Sequence, residues 1–470
     1  MVPQPMMPMP MRLMGGHCRG MSTLQRQGKA RGCAAIRVSI IEPSISLGDF
    51  AMNRCTALVA AAALGLAVGA ASAQTTTVKW MHIETNNVNI ANYFKQTAED
   101  FEAKNPGVKV EIQILENEAY KAKLTTLLQS NDKPHVIYSW GGGVLQAQVK
   151  AGVLQDIDAA MKGPWGDSLS PGAVDAFRYQ GKVWGAPMLM SQVGFYYNKA
   201  LFQKAGVDAA GIKTWDNFLD AVKKLKASGT TPIIAGGGDK WPLHFYWTHI
   251  ALRLGGKSAF ETAQRGEAGG FGNEVFVKAG ETFKQLVDLQ PFQPGFMGVT
   301  APQSYGQFAD GKGAMTLMGN WFYNSQRGNA ADKKGLSDDA MGWFPFPAIA
   351  GGKGDPRETL GGINGWLLTK GAPKEAVEFL KYLTRSDAQR EMAAKGFFIP
   401  VAKGAERDMV NPFFKINATQ LAASPYHQIF YDQMLGPSVG RVVNDVSTDI
   451  AAGKMSPKDA ANAIEDARKN

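Results

Sequence analysis

The chain has 470 residues, 45% of them hydrophobic, with 50 Lys and Arg against 41 Asp and Glu and a formal charge of +9. Seven basic residues (Arg12, Arg19, Arg26, Lys29, Arg31, Arg37, Arg54) and two acidic ones (Glu42, Asp49) precede position 74, so the remainder carries only +4, which excludes the basic footprint of a nucleic-acid binder. The 397 residues from Gln74 onward are enough for two domains, and they hold none of the three cysteines (Cys18, Cys33, Cys55), which excludes a disulfide, a reactive thiol or a lipid-anchoring cysteine there.

Residues 1–51 are rich in Met, Pro, Gly and Arg without an apolar period, and are read as an upstream gene-start artefact or a disordered tail. Met52-Asn53-Arg54, the small apolar run Cys55 to Ala70 and the closing Ala71-Ser72-Ala73 predict a signal peptide over 52–73, with cleavage before Gln74. The run is too short for a membrane span, and no later segment is long enough for one. A protein exported across the inner membrane into a Gram-negative periplasm is expected.

Val78 to Ile83 reads as a strand, followed by a helix with Phe94, Ala98 and Phe101 on one face that ends at Asn105-Pro106-Gly107. The strict alternation of Val108 to Ile114 predicts a strand with one buried face. A helix around Tyr120 to Gln129 and a strand over His135 to Trp140, ending in Gly141-Gly142-Gly143, complete a β-α-β-α-β pattern, the mark of an open sheet flanked by helices. Ligands bind such sheets outside the carboxyl ends of the strands, which makes Glu84, Asn86 and Trp140 candidates. Thr214 caps a helix carrying Phe218, Val222 and Leu225, and Thr230 to Ile234 resumes a strand, opening a second α/β lobe. Pro373 starts a helix, Ser386 to Gln389 forms a capping box, Gly396 stops the next helix and Ser456-Pro457 opens a last one.

Enzyme signatures are weak. Gly436-Pro437-Ser438-Val439-Gly440 matches the nucleophile-elbow string, but it lies between helical patterns and no histidine follows Ser438. His244 and His249 are five apart with no Glu after His244, so they fail the zinc-protease spacing and read as histidines of an aromatic segment. The glycine clusters lack dinucleotide or P-loop spacing, and no cofactor and no metal are expected. Acid pairs of a glycoside hydrolase stay open, since their partners meet only in the fold.

All ten tryptophans follow position 74, and four stand beside glycines and polar side chains: Trp140-Gly141, Lys240-Trp241, Asn320-Trp321 and Asn364-Gly365-Trp366. An indole plane packs on the apolar face of a pyranose, and Asn, Gln, Asp, Glu or Lys satisfy its hydroxyl rim. Glycine lets the backbone approach closely.

With these residues on view, the chain resembles the family 1 extracellular solute-binding proteins of ABC transporters, in the sugar-binding branch that includes maltose-binding and multiple-sugar-binding proteins. The carriers are Phe101 with Asn105-Pro106, Val108 and Val110; Tyr120 with Lys123-Leu124; Gly194 to Lys199 with Leu201-Phe202; Phe308 with Gly311-Lys312 and Ala314-Met315, leading to Gly319-Asn320-Trp321; Gly361 to Asn364; and Ala451 to Ala460. Each is weak alone, and their order spans about 370 residues. One departure is His135, where the family often has Asp after the proline of its third strand.

The resemblance implies an α/β, two-lobed periplasmic binding protein-like fold of class II with the ligand cleft between the lobes: residues 74–190 plus 363–398 as lobe 1, and 191–362 plus 399–470 as lobe 2. Hinge crossings are expected near Leu189 to Gly194, Gly361 to Gly365 and Gly396 to Val401. It implies ligand contacts from Glu84, Asn86, Trp140, Gly362, Asn364 and Trp366 in the first lobe or hinge, from Gln192 at the first crossing, and from Asp239, Lys240, Trp241 and Trp321 in the second lobe. Trp321 matches the family's stacking tryptophan; Trp366 is also compatible with packing in the first lobe. The implied role is a non-catalytic periplasmic protein, monomeric, that hands a sugar to the membrane permease subunits of an ABC importer. Glycerol 3-phosphate or a polyamine is an alternative ligand, and an exported glycoside hydrolase or lyase an alternative class. A phosphate calls for clustered Arg, and only Arg357 stands near the candidate loops.

Overall fold

The computed structural model describes residues 75–470; the expected signal segment 52–73, the preceding 1–51 and all three cysteines lie outside the described residues. Among the described residues no helix is long and apolar enough to cross a membrane.

The opening β-α-β-α-β pattern forms one side of a seven-stranded sheet. Thr76–His82 pairs in parallel with Val108–Ile114 on one side and with Val136–Ser139 on the other. The helix Val88–Lys104 between the first two strands is capped by Asn87, whose side chain accepts from the Asn89 and Ile90 amides, and it buries Ile90, Phe94, Ala98 and Phe101. Val108–Ile114 is the edge strand, and only Val110 of its seven residues is fully buried. His135 supplies what the departure from the family pattern left open: its ring Nδ1 accepts the Lys79 amide at 3.1 Å, while its own amide donates to the Lys79 carbonyl at 2.8 Å.

The chain then enters and leaves the sheet. Gly185–Met190 lies beside Ile363–Thr369, which runs antiparallel to it and to Val136–Ser139 and is buried at all seven positions. From Met190 the chain passes through Ser191-Gln192 into Val193–Asn198, the central strand of a separate three-stranded sheet with Met341–Phe344 and Met315–Gly319. It returns at Thr359–Gly361, and the two crossings are stitched together. The Ser191 amide donates to the Gly362 carbonyl and the Gly362 amide donates to Ser191 Oγ, each at 2.8 Å. A Cβ on Gly361 would overlap the Ser191 carbonyl, which is why glycine stands there.

Among the described residues two large hydrophobic cores result, with a small third cluster of Ala393, Ile399, Met409 and Phe414. One large core runs from Val78 to Leu189 and resumes from Ile363 to Ala405; the other runs from Val193 to Leu360 and resumes from Phe413 to Ile464. The third crossing therefore falls later than the sequence suggests. Ile399–Pro400 still pairs with Gly185–Met190, and Val401, Ala402 and Ala405 pack in the first core. Gln389 is the reason. No capping box forms at Ser386; instead Gln389 Oε1 turns inward and accepts from the Val401 and Ala402 amides, both at 2.8 Å. Thr230 to Ile234 also differs from expectation, since only Ile233 bridges, to Phe292 and Met315, and no strand forms. The Thr214 cap does form, reciprocally with Asn217.

Candidate functional site

A cavity of about 1050 Å³, open mouth included, lies where the parallel strand ends of the first lobe face the second. The first-lobe wall comes from the loops after those strands: Glu84 and Asn86 after Thr76–His82, Glu116 and Lys121 after Val108–Ile114, and Trp140 after Val136–Ser139. Tyr138 and Asn364 reach in from the strands themselves. Carboxyl-end loops of a parallel sheet converge on one edge, so this wall follows from topology.

The second-lobe wall is an aromatic platform. Trp241 and Trp321 lie 6.2 Å apart, Trp321 meets Phe430 edge-on at 6.0 Å, and Phe430 stacks on Phe245 at 5.2 Å. Trp321 Nε1 donates to the Tyr305 hydroxyl at 3.2 Å, which fixes the indole. A Cβ on Gly319 would overlap that ring, so the glycine permits its position. Both tryptophans are half-buried and keep apolar surface toward the cavity.

Polar groups rim this platform. Asn364 Nδ2 donates to the Tyr138 hydroxyl at 2.7 Å, and Asp239 Oδ2 accepts the Ala301 amide at 2.7 Å. His244 Nδ1 lies 2.6 Å from the Trp241 carbonyl; since a carbonyl only accepts, that nitrogen carries the proton, and burial pushes the ring's pKa down, leaving Nε2 a lone pair. Asp432 Oδ1 lies 3.7 Å from that Nε2. Asn364 Oδ1, Trp241 Nε1, His244 Nε2 and Asp432 Oδ1 are buried without a hydrogen-bond partner in the protein, an arrangement that costs stability unless something else bonds to them.

Two of the cleft carboxyls, Glu84 and Asp239, are raised above their ordinary values. Burial pushes Glu84 up to about 7. Asp239 is raised by burial and by Glu116, against the Ala301 amide and Lys121. Glu116 caps its helix, accepting from the Glu118 amide at 2.8 Å.

Of the residues expected at the site, Glu84, Asn86, Trp140, Asp239, Trp241, Trp321 and Asn364 line the cavity together. Four do not. The Gln192 amide donates to Asn320 Oδ1 and its side chain to Gln420, so it ties the crossing instead of facing the cavity. Lys240, at the N-cap with φ of 63°, sends its ammonium to Asp445 at 2.6 Å. Gly362 is a hinge stitch. Trp366 is wholly buried, packed against Trp80 and Tyr138 at 5.3 Å each, with Nε1 toward Met188. The sequence reading missed Glu116, Lys121, Tyr305, Phe430 and Asp432, and it set His244 aside. Glu116 and Lys121 follow a strand's carboxyl end and were within reach of the rule that found Glu84; nothing local marks Phe430 or Asp432. Gly436 to Gly440, the string that resembles a nucleophile elbow, is the opening of the helix Gly436–Ala451, and Ser438 is exposed there.

A two-lobed α/β chain with a polar-rimmed aromatic cleft between its lobes is the architecture of a solute receptor. The chain belongs to the bacterial extracellular solute-binding protein family, whose sequence model matches residues 87–390. It is 27% identical over 380 residues to the diacetylchitobiose binding protein DasA of Streptomyces coelicolor, covering 78% of this chain and 84% of that one. It is 24% identical over 355 residues to the multiple sugar-binding protein of Streptococcus mutans, covering 72% and 78%. A solved structure from work on xylan utilization by Caldanaerobius polysaccharolyticus superposes with a TM-score of 0.77 at 27% identity, covering 83% of this chain and 99% of that chain. The family and the two named relatives are binding proteins.

Proposed function

We propose that this protein is the periplasmic carbohydrate receptor of an ABC importer: it closes its lobes on a neutral mono- or oligosaccharide and presents it, chemically unchanged, to membrane permease subunits, acting as a monomer after removal of residues 52–73. The observation that carries this reading is the Trp241–Trp321–Phe430 platform rimmed by buried, unpartnered hydrogen-bonding atoms. A pyranose offers the matching pair of surfaces, an apolar face and a ring of hydroxyls that both donate and accept. Lobe closure follows when one ligand makes contacts from both lobes, because a ligand shifts the open–closed equilibrium only by its differential contacts with the two states. Lys121 is the one Lys or Arg among the described residues lining the cavity, beside Glu84, Glu116, Asp239 and Asp432, a balance that disfavours glycerol 3-phosphate. Named relatives bind diacetylchitobiose or multiple sugars, which places neutral oligosaccharides first in the screen.

The test is intrinsic tryptophan fluorescence and thermal unfolding of residues 74–470 against a panel of neutral sugars, glycerol 3-phosphate and spermidine. A sugar that shifts both signals at micromolar concentration and is recovered intact supports the reading. Silence to every sugar, or recovery of cleaved product, overturns it.

A further inference from the structure

Lys121 occupies a position that the platform description leaves unexplained. Its ammonium lies 5.4 Å from the ring centroid of Trp140, in the first lobe, and 5.9 Å from that of Trp241, in the second. It is 28% exposed and donates to Glu118 Oε1 at 3.1 Å. The groups around it are acidic and come from both lobes: Glu116 and Glu118 on its own helix, and Asp239 across the cleft. Each of the latter two is raised from its ordinary value by burial and by neighbouring carboxylates, and each is pulled back by Lys121. Tyr305 is raised by burial and by the same three acids, and His244 is lowered by burial and, more weakly, by Lys121. Deeper in the cavity Asp432, 8% exposed, keeps Oδ1 without a hydrogen-bond partner. Bringing the lobes together therefore sets like charges face to face in a poorly hydrated gap, a cost that one ammonium shared between two indole faces offsets.

We infer that Lys121 is the specificity-determining cation of the cleft: its tethered ammonium, held between Trp140 and Trp241, balances acids of both lobes on closure and fills the place that an amine-bearing ligand would otherwise take. This rests on the solute-receptor reading and names the class it excludes. Ligands that bring their own ammonium, such as polyamines or de-acetylated amino sugars, find Glu118 already paired and the negative field of Asp239 already offset by Lys121, while neutral sugars need no such place. Removal of the lysine leaves Glu116, Glu118 and Asp239 without their cation and opens that place.

The experiment compares the parent protein with Lys121→Met, Lys121→Arg and Lys240→Met, the last removing an equal charge from a lysine whose ammonium pairs with Asp445 outside the cavity. Thermal unfolding and tryptophan fluorescence are read with spermidine and with chitobiosamine, and circular dichroism checks folding. The expected result is a dose-dependent rise in Tm and a fluorescence change in Lys121→Met alone, with at least tenfold tighter amine binding than the parent. Equal responses in Lys240→Met, or none in a folded Lys121→Met, overturn the assignment. N,N′-diacetylchitobiose and the neutral panel run in parallel: their failure on the parent sinks the sugar reading, whereas the amine comparison stands or falls on Lys121.

Discussion

Trp321→Ala tests the platform most directly. The indole is half-buried, held by its hydrogen bond to Tyr305 and by edge contacts with Phe430 at 6.0 Å and Phe245 at 6.4 Å. One indole face against one sugar face removes roughly half of the ~200 Å² that a buried tryptophan takes from water. At ~25 cal/mol per Å² that contact contributes about 2.5 kcal/mol. Trp241 and Phe430 remain in the variant and recover some of this area, so about 2 kcal/mol is the expected loss, close to 30-fold in Kd. Trp321→Phe keeps an apolar plane but loses the bond to Tyr305, and an intermediate loss of about 5-fold is expected. The assay is isothermal titration calorimetry with the tightest sugar of the panel, alongside the Tm of each unliganded variant to separate binding from folding. A Trp321→Ala protein that folds and binds within threefold of the parent refutes the stacking argument.

Glu84 carries a pH dependence. Its pKa in the folded protein is about 7 against an ordinary 4.5, so between those values the folded state binds more protons than the unfolded, and stability falls as pH rises through that window. The shift sets an upper bound of ~3 kcal/mol at pH 8, reduced by the partial exposure of the group. Glu84→Gln is expected to be the more stable protein at pH 8 and to lose its advantage near pH 4.5; parallel urea-unfolding profiles for the two would count against this. Gly143 tests closure without touching ligand: a Cβ there would overlap the Met434 carbonyl and lie 2.7 Å from the Gly436 amide, across the gap between the lobes. Gly143→Val is expected to weaken every ligand by a similar factor, about 10-fold from ~1–3 kcal/mol of overpacking in the closed form, with small-angle scattering showing a wider liganded state. Trp366→Ala should do the opposite of Trp321→Ala, costing about 3–5 kcal/mol of folding stability because the side chain is wholly in the core. A modest change in Tm with a large loss of affinity would return Trp366 to the site.

Much of the first lobe could be read from local pattern, because its elements state themselves locally. Alternation marks Val108–Ile114, the Phe94, Ala98 and Phe101 spacing marks a helix face, and strand ends in a parallel sheet point to one edge. The tryptophans were harder to sort. Trp321 and Trp366 both stand beside an Asn or Gly in sequence, yet one closes a cavity and the other fills a core. The difference lies in what each strand does next: Ile363–Thr369 is buried on both faces in mid-sheet, whereas Trp321 follows the end of Met315–Gly319. Phe430 and Asp432 arrive from the chain's last hundred residues through the parallel pairing of His427–Ile429 with Thr359–Gly361, a long-range contact without a local signal. Gln389 misled in the same way, since a residue suited to a cap found two buried amides in greater need of an acceptor.

The two walls of the cleft are built by different means, and this bears on how closure is tied to binding. The aromatic platform is assembled within the second lobe: Phe245 and Phe430 stack, Tyr305 orients Trp321, and all pack on that lobe's core. It is therefore as well formed with the lobes apart as together, and a sugar can land on it first. Glu84, Asn364 and Trp140 line the cavity from the first lobe, and under the proposed function they reach the same ligand on closure. A ligand that satisfies the platform alone binds open and closed states alike and shifts nothing between them; one that also bonds to Asn364 Oδ1 favours the closed state by that added contact. Discrimination among sugars with the same apolar face thus falls to the first-lobe rim, and the geometry that decides it is set by loops at the ends of three parallel strands.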